Sequence, residues 1–182
     1  MISDVDLAFD IHEGTTRVVS KLTVERNGQH ARPLVLDGEG LSVRSISING
    51  AQVVESDFTY AGGQLTFEAV PHRFEFGAVV DIEPESNTSL EGLYRSRTMY
   101  CTQCEAEGYR KITFGLDRPD VLSTFTVSLS ADKTVCPVLL SNGNEVARSD
   151  LEDGRHTVVW HDPHPKPSYL FALVAGDLQL VA

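Results

Sequence analysis

One short segment of the sequence concentrates side chains that can do chemistry. It runs from Cys101 to Glu107 and places two thiols, an amide and two carboxylates close together. Two cysteines separated by two residues can form half of a zinc site or a redox pair. A structural zinc needs four ligands, however, and no second cysteine pair or spaced Cys/His pair accompanies Cys101 and Cys104. Two unpaired thiols are the favoured interpretation, and metal or redox use is the alternative.

Three histidines form a second group of candidate ligands. His156, His161 and His164 lie in one segment, and the last two are three residues apart. On a helix this spacing could place two imidazoles on one metal ion. Pro163 and Pro165 exclude a helix here, because proline lacks the amide N–H that a helix interior requires. We therefore predict a solvated loop in preference to a metal site.

Familiar catalytic motifs do not occur in the sequence. It contains no H-E-x-x-H zinc motif, no G-x-S-x-G nucleophile elbow and no phosphate-binding G-x-x-x-x-G-K-[ST] loop. No pair of nucleophile and base can be assembled from neighbouring residues either. Taken alone, Glu105 and Glu107 are more typical of a solvated or salt-bridged surface than of a binding site. The residues by themselves thus predict no catalytic centre in this chain.

The composition argues against two classes of partner. The 182 residues carry 26 acidic and 15 basic side chains, a formal net charge of −11. Nucleic-acid binding needs a basic surface, and docking on anionic lipid needs basic clusters. No stretch approaches the roughly 20 apolar residues of a membrane span, and the acidic N-terminus lacks the charges of an export signal. With an odd number of cysteines, we expect a cytoplasmic protein that binds neither nucleic acid nor membrane.

The candidate residues are surrounded by strand patterns. Apolar and polar residues alternate over 5–11, 18–24 and 125–129, and Asn-Gly, Asp-Gly and Gly-Gly pairs typical of tight turns recur between such runs. A change of phase at Ser45 predicts either a β-bulge or a strand that switches faces. We predict an all-β fold of curved antiparallel or mixed sheets, saddle-shaped and sandwich-like, in one domain over residues 1–182.

The helical signal is confined to one region. We expect an irregular segment from about Asn87 to Asp120, with a capping box at 88–91 and a turn or two of helix within 105–113. The chain also begins and ends in apolar strand patterns, the second over 169–181. Either these strands are paired within closed sheets, or the chain is an excised domain whose ends meet other parts of a larger protein.

Several consecutive blocks are more specific than any single motif. They are 36–39, 90–96 (Leu-Glu-Gly-Leu-Tyr-Arg-Ser), 101–108 (Cys-Thr-Gln-Cys-Glu-Ala-Glu-Gly), 116–122, 139–144, 154–156 and 162–177. In order and spacing, these blocks resemble the N-terminal domain of bacterial aminopeptidase N, a zinc metalloaminopeptidase family of the thermolysin-like gluzincin clan. The resemblance covers nearly the whole chain.

The resemblance implies a role within a larger exopeptidase, which removes N-terminal residues from peptides. In that family a separate thermolysin-like domain binds zinc through H-E-x-x-H and a downstream glutamate, and also carries a Gly-Ala-Met-Glu-Asn segment. This chain has none of these features. The implied cofactor is therefore zinc in the complete enzyme, with no metal ligand and no catalytic residue in this chain. The implied partners are the catalytic domain and peptide N-termini, and the isolated chain is expected to be inactive.

The same resemblance assigns two site residues. The family's Gln-x-Glu-Ala motif matches residues 103–106, so Glu105 would bind the α-ammonium of the substrate and Gln103 would line the first subsite. Two positions depart from the family: Tyr109 stands where phenylalanine is common, and His164 stands where an aromatic residue is common. Neither position belongs to the motif.

Two other hypotheses stay open at this point. The chain could be an independent β-sandwich binding module without a peptidase role, or a small metal- or redox-active protein that uses Cys101 and Cys104. The hypothesis that the resemblance implies, a substrate-anchoring domain, further predicts an exposed apolar docking face.

Overall fold

The computed structural model describes residues 1–179, and these residues form fifteen β-strands and three single-turn 3-10 helices. The 3-10 helices are Glu55–Asp57, Tyr109–Lys111 and Ser168–Leu170. The strands are β1 (Ile2–Ile11), β2 (Thr16–Glu25), β3 (Leu34–Asp37), β4 (Ser42–Ile48), β5 (Ala51–Gln52), β6 (Thr59–Ala61), β7 (Gln64–Phe67), β8 (Arg73–Ile82), β9 (Gly92–Ser96), β10 (Met99–Gln103), β11 (Ser123–Asp132), β12 (Val138–Ser141), β13 (Asn144–Asp150), β14 (Arg155–Lys166) and β15 (Leu173–Gly176).

The strands form three sheets, and the predicted all-β class is confirmed. An eight-stranded sheet has the order β13-β14-β11-β1-β2-β8-β4-β5, a four-stranded sheet β12-β15-β10-β9, and a three-stranded sheet β3-β7-β6. The large sheet is mixed, because β1 pairs in parallel with β11 and antiparallel with β2. Within the described residues, no helix has the length and apolar character that crossing a bilayer requires.

The alternating patterns place one face of each long strand in the core. In β11, Phe125, Val127 and Leu129 are almost fully buried, while Thr126 and Ser128 between them face outward. Of the two interpretations of the phase change at Ser45, the bulge is confirmed, because the pairing of β4 with β8 shifts register between Val43 and Ser45. The buried residues of the sheets form one continuous hydrophobic cluster that supports the loops at the sheet ends.

The prediction of an irregular segment from about Asn87 to Asp120 is partly wrong. Strands β9 and β10 lie within it and pair as an antiparallel hairpin, with Met99 opposite Ser96. The capping box at 88–91 begins no helix, since Leu90 has a left-handed φ of 58°. Residues 105–113 contain one 3-10 turn, Tyr109–Lys111. Two five-residue strands joined without a glycine give too short an alternation to be recognised against the surrounding polar residues.

The loop predicted around His161 and His164 is also wrong, because both residues lie in β14. His161 Nδ1 lies 3.1 Å from the hydroxyl of Thr126 on the neighbouring strand. The prolines at 163 and 165 are tolerated because the pairing of β11 with β14 shifts register between Ser123 and Phe125, which releases part of the strand from the ladder.

Both terminal strand patterns are paired on two sides. Strand β1 lies between β11 and β2, and β15 lies between β12 and β10. Both strands are therefore paired within the sheets. Residues 180 and 181 of the apolar C-terminal pattern lie outside the described part of the chain.

Asp81 gives the fold an acid-sensitive contact. Its side chain is 6% exposed, and Nε of Arg17 and Nε of Arg44 lie 2.9 Å and 2.6 Å from its two oxygens. The hydrogen bond from Arg17 is the main cause that holds the pKa of Asp81 below its ordinary value of 3.8, with Arg44 adding to it against the opposing desolvation.

We expect Asp81→Asn to remove part of the acid dependence of stability. Because the folded pKa lies below the unfolded one, the unfolded state binds the proton first as the pH falls. The stabilisation is therefore present above about pH 4 and is lost below it; we expect it to amount to roughly 1 kcal/mol, since both arginines are half exposed. Urea unfolding at pH 7 and at pH 3 measures this, and an equal loss for both proteins between these pH values would contradict it.

Candidate functional site

The candidate site lies on the turn that follows strand β10. Gln103 ends the strand, Cys104 is buried, and the chain then turns through residues 105–108 into the 3-10 helix. The amide of Gly108 donates to the carbonyl of Cys104 at 2.9 Å, and Nε2 of Gln103 donates to the carbonyl of Glu105 at 3.1 Å. The peptide bond between Glu105 and Ala106 is cis. Gln103 and Glu105 thus share one hydrogen-bonded turn.

Two glycines allow the close packing of this turn. A Cβ atom on Gly108 would lie 2.4 Å from the carbonyl oxygen of Gln103, so a side chain there would displace the turn. Gly92, at the start of β9, has a φ of 73°, and a Cβ there would lie 2.8 Å from that of Lys111. Backbone that only glycine permits therefore brings the turn against β9.

The carboxylate of Glu105 differs from the other acidic groups around it. Glu107 lies 3.3 Å from the guanidinium of Arg110, and Glu91 lies 2.9 Å from Nζ of Lys111. Glu105 is exposed and makes no ion pair with any residue from 1 to 179. Among these glutamates it is the one whose charge stays available to a ligand.

The two cysteines of the C-x-x-C pair are free thiols in different environments. Cys104 is 3% exposed, and burial, with a smaller effect of the Asp117 carboxylate, raises its pKa to about 12. Cys101 is half-buried, and its hydrogen bond with the Tyr94 side chain raises the tyrosine pKa. The Cys104 thiol, with so high a pKa, is protonated at neutral pH and is a poor nucleophile and metal ligand.

No side chains in the described part of the chain form a metal site. Residues 1–179 contain no group of three or more His, Cys, Asp or Glu side chains placed to hold one ion. His156, the first of the three histidines, is 1% exposed, and its Nε2 lies 2.8 Å from the carbonyl oxygen of Cys136. These donors do not fit a zinc ion, so no chemical step can be derived from a metal held by this chain.

One face of the four-stranded sheet leads directly to Gln103. Tyr94, Cys101, Val174 and Leu140 form a row across its four strands, because each is the register partner of the next. Gln103 lies on the same face, two residues after Cys101. We call this apolar, half-exposed surface the outer sheet face, and it comprises Tyr94, Met99, Cys101, Val138, Leu140 and Val174. The opposite face is buried in the core through Leu93, Tyr100, Leu139 and Ala175.

A buried residue that no sequence motif indicates, Asp117, supports the turn. Asp117 has a side chain 1% exposed and lies 3.1 Å from Nε of Arg110. The only signal for it was its place in the block 116–122, which contributed to the resemblance without indicating a role.

Tyr109, one of the two departures from the family, carries a hydroxyl without a hydrogen-bond partner among the described residues. Its ring packs edge-on against Phe125 and Phe171, at 6.3 Å and 5.8 Å between centroids. Burial raises the pKa of this hydroxyl.

We expect Tyr109→Phe to leave the free energy of unfolding unchanged or to raise it by up to about 1 kcal/mol, because a buried, unpaired hydroxyl is removed. Tyr60→Phe is the matched control, since the hydroxyl of Tyr60 accepts from the amide of Leu41 at 3.4 Å. Chemical denaturation measures both variants. A larger loss for Tyr109→Phe than for the control would contradict the expectation.

Comparison with known proteins identifies the family. The family described as "Peptidase M1 N-terminal domain" matches residues 2–170. Aminopeptidase N of Caulobacter vibrioides is 49% identical over 181 residues, covering 100% of this chain and 21% of the relative, and aminopeptidase N of Escherichia coli is 48% identical over 180 residues, covering 99% and 20%.

Solved structures agree with this assignment. The crystal structure of Legionella pneumophila aminopeptidase A in complex with aspartic acid matches with a TM-score of 0.93 and 36% identity, over 98% of this chain and 21% of that one. An M1 zinc metallopeptidase from Deinococcus radiodurans shares the fold, with a TM-score of 0.83 and 20% identity over 98% of this chain and 42% of that one. The chain spans about a fifth of the length of its aminopeptidase N relatives. It belongs to the peptidase M1 N-terminal domain family, as its resemblance to aminopeptidase N implied.

Proposed function

We propose that this chain is the substrate-anchoring domain of a zinc aminopeptidase that removes N-terminal residues from peptides. In this proposal Glu105 binds the α-ammonium of the substrate and Gln103 forms a wall of the first subsite. The observation that carries it is the exposed Glu105 carboxylate, which has no ion-pair partner within residues 1–179 although its backbone is held by a hydrogen-bonded turn. The aspartic acid held by the Legionella relative, a ligand with an α-ammonium group, is consistent with this role.

The chemistry explains why such a carboxylate is useful. An aminopeptidase must distinguish the end of a peptide from its interior, and the end is marked by a positive charge. Each charge-assisted hydrogen bond between a carboxylate and an ammonium is worth roughly 1.5–3 kcal/mol. An internal peptide bond offers no such donor and would leave the carboxylate desolvated and unpaired, so it is rejected. Fixing the amine also fixes the position of the neighbouring scissile carbonyl.

The outer sheet face fits docking of the enzyme's own catalytic domain. An apolar face at a sheet surface is normally covered in the working protein. The relatives extend about five times the length of this chain, so a large further part of the polypeptide is available to cover it. The face is continuous with Gln103, and a domain seated on it would close a cleft over Glu105.

The catalytic groups belong to that other domain in this proposal. Zinc would act there as a Lewis acid that also activates water. The residues of this chain bind and orient the substrate and exclude water from one side of the cleft. We also propose a cytoplasmic location, which the three free thiols support because reducing compartments preserve them.

The proposal predicts that the isolated chain does not turn over substrate. Purified residues 1–182, with zinc in the buffer, should give no chelator-sensitive hydrolysis of aminoacyl chromogenic substrates, whereas the complete polypeptide should. Chelator-sensitive turnover by the clean isolated chain would refute the division of labour. Absence of turnover by the complete polypeptide would instead favour an independent binding module.

A further inference from the structure

The buried carboxylate of Asp117 is fully engaged beneath the Glu105 turn. Its Oδ2 accepts hydrogen bonds from the backbone amide of Arg110 at 3.2 Å and from Nε of Arg110 at 3.1 Å. Its Oδ1 accepts from the hydroxyl of Ser168 at 2.6 Å. One carboxylate therefore joins the end of the turn to a segment more than fifty residues later in the chain.

Arg110 connects Asp117 to the part of the turn that lies nearer Glu105. Its guanidinium donates to the carbonyl of Asp117 at 3.3 Å and lies 3.3 Å from the carboxylate of Glu107. Its own carbonyl accepts from the amide of Glu39 at 2.8 Å. Residues 107–110 are thus held through side chain and backbone at once, two residues after Glu105.

Asp117 is itself fixed from a third direction. Its amide donates to Oδ2 of Asp37 at 3.2 Å. Asp37 and Gly115 exchange a pair of backbone hydrogen bonds of 2.7 Å and 3.0 Å, which ties strand β3 to the segment before Asp117. Asp117 therefore connects the turn to two other chain segments, strand β3 at Asp37 and the 3-10 helix at Ser168.

We propose that Asp117, acting through Arg110 and supported by Ser168, is a positioning residue that sets where Glu105 presents its carboxylate to the substrate amine. This inference rests on the proposed function of Glu105. The Glu105 side chain has no ion-pair partner among residues 1–179, so the position of its backbone sets the region that its charge can reach. A displacement of about 1 Å in a substrate-orienting group can cost as much as 10²-fold in rate.

The decisive experiment is a double-mutant cycle in the complete enzyme. We expect Asp117→Asn to lower kcat/KM for a free-amine dipeptide about tenfold, mainly through a higher KM. In a Glu105→Gln background, the same Asp117→Asn change should lower kcat/KM less than twofold, because there is no carboxylate left to position. A merely structural role would not give this dependence on Glu105.

Asp81→Asn is the matched control. Asp81 is an aspartate of similar burial that also contacts arginine side chains, but it lies on strand β8, on the face opposite the core residues Phe76 and Val80. It should lower the midpoint of thermal unfolding without changing kcat/KM. Ser168→Ala removes the hydrogen bond to Oδ1 alone and should change KM in the same direction as Asp117→Asn by a smaller factor, which keeps the inference testable if Asp117→Asn does not fold.

The outcomes separate the two proposals. If Glu105→Gln alone leaves the kinetics unchanged, the anchoring function fails and this inference fails with it. If Glu105→Gln impairs the enzyme but Asp117→Asn, or Ser168→Ala in its place, causes the same loss with and without Glu105, the function stands and the positioning role is wrong.

Discussion

Replacing Glu105 by glutamine in the complete enzyme is expected to lower kcat/KM for free-amine peptides by at least tenfold. Glutamine keeps the length of the side chain and one acceptor oxygen but removes the charge. The loss of one charge-assisted hydrogen bond, roughly 1.5–3 kcal/mol, corresponds to about 10- to 150-fold. Initial-rate kinetics on an aminoacyl chromogenic substrate measure this, with the loss divided between KM and kcat.

Glu107→Gln is the matched control for this substitution. It changes the same residue type on the same turn, but Glu107 is occupied by Arg110 at 3.3 Å. We expect it to change kcat/KM by less than threefold. Equal kinetics for the wild type and Glu105→Gln would remove the basis for placing the substrate amine at Glu105.

The long strands could be predicted from the sequence because burial of one face makes apolar and polar residues alternate with a period of two over many residues. In β2 and β11 ten residues alternate between core and solvent, β1 does so from Asp4 to Ile11, and even the register shift at Ser45 left a visible change of phase. The hairpin of β9 and β10 has only five residues a strand, and both of its faces carry apolar groups, so its pattern does not alternate. Strands that are covered by other parts of a protein on both sides of their sheet carry apolar residues on both faces.

Only part of the candidate site could be predicted from the sequence. Gln103 and Glu105 were assigned through the resemblance of the Gln-x-Glu-Ala motif, and no property of two surface-type residues would have selected them. The contact of Ser168 with Asp117 depends on how β14 returns the chain beneath the turn, and spacing along the sequence holds no information on such a long-range contact. His161 was misplaced for a related reason: a register shift in the ladder accommodates prolines that, read locally, indicate a loop.

The second large effect is expected at the outer sheet face. Val174 lies at the centre of its apolar row, between Cys101 and Leu140. In the complete enzyme, Val174→Asp would bury an unpaired charge against the docked catalytic domain, a change that costs several kcal/mol. We therefore expect the domains to separate and kcat/KM to fall by about 10²-fold, because the cleft over Glu105 no longer closes.

Limited proteolysis between the domains and kinetics on the same preparation measure this prediction. Val19→Asp is the control, because Val19 is a similarly half-buried valine on the polar face of the eight-stranded sheet, which this proposal leaves in solvent. If the two variants showed the same protease resistance and the same kcat/KM, the outer sheet face would not be the docking surface.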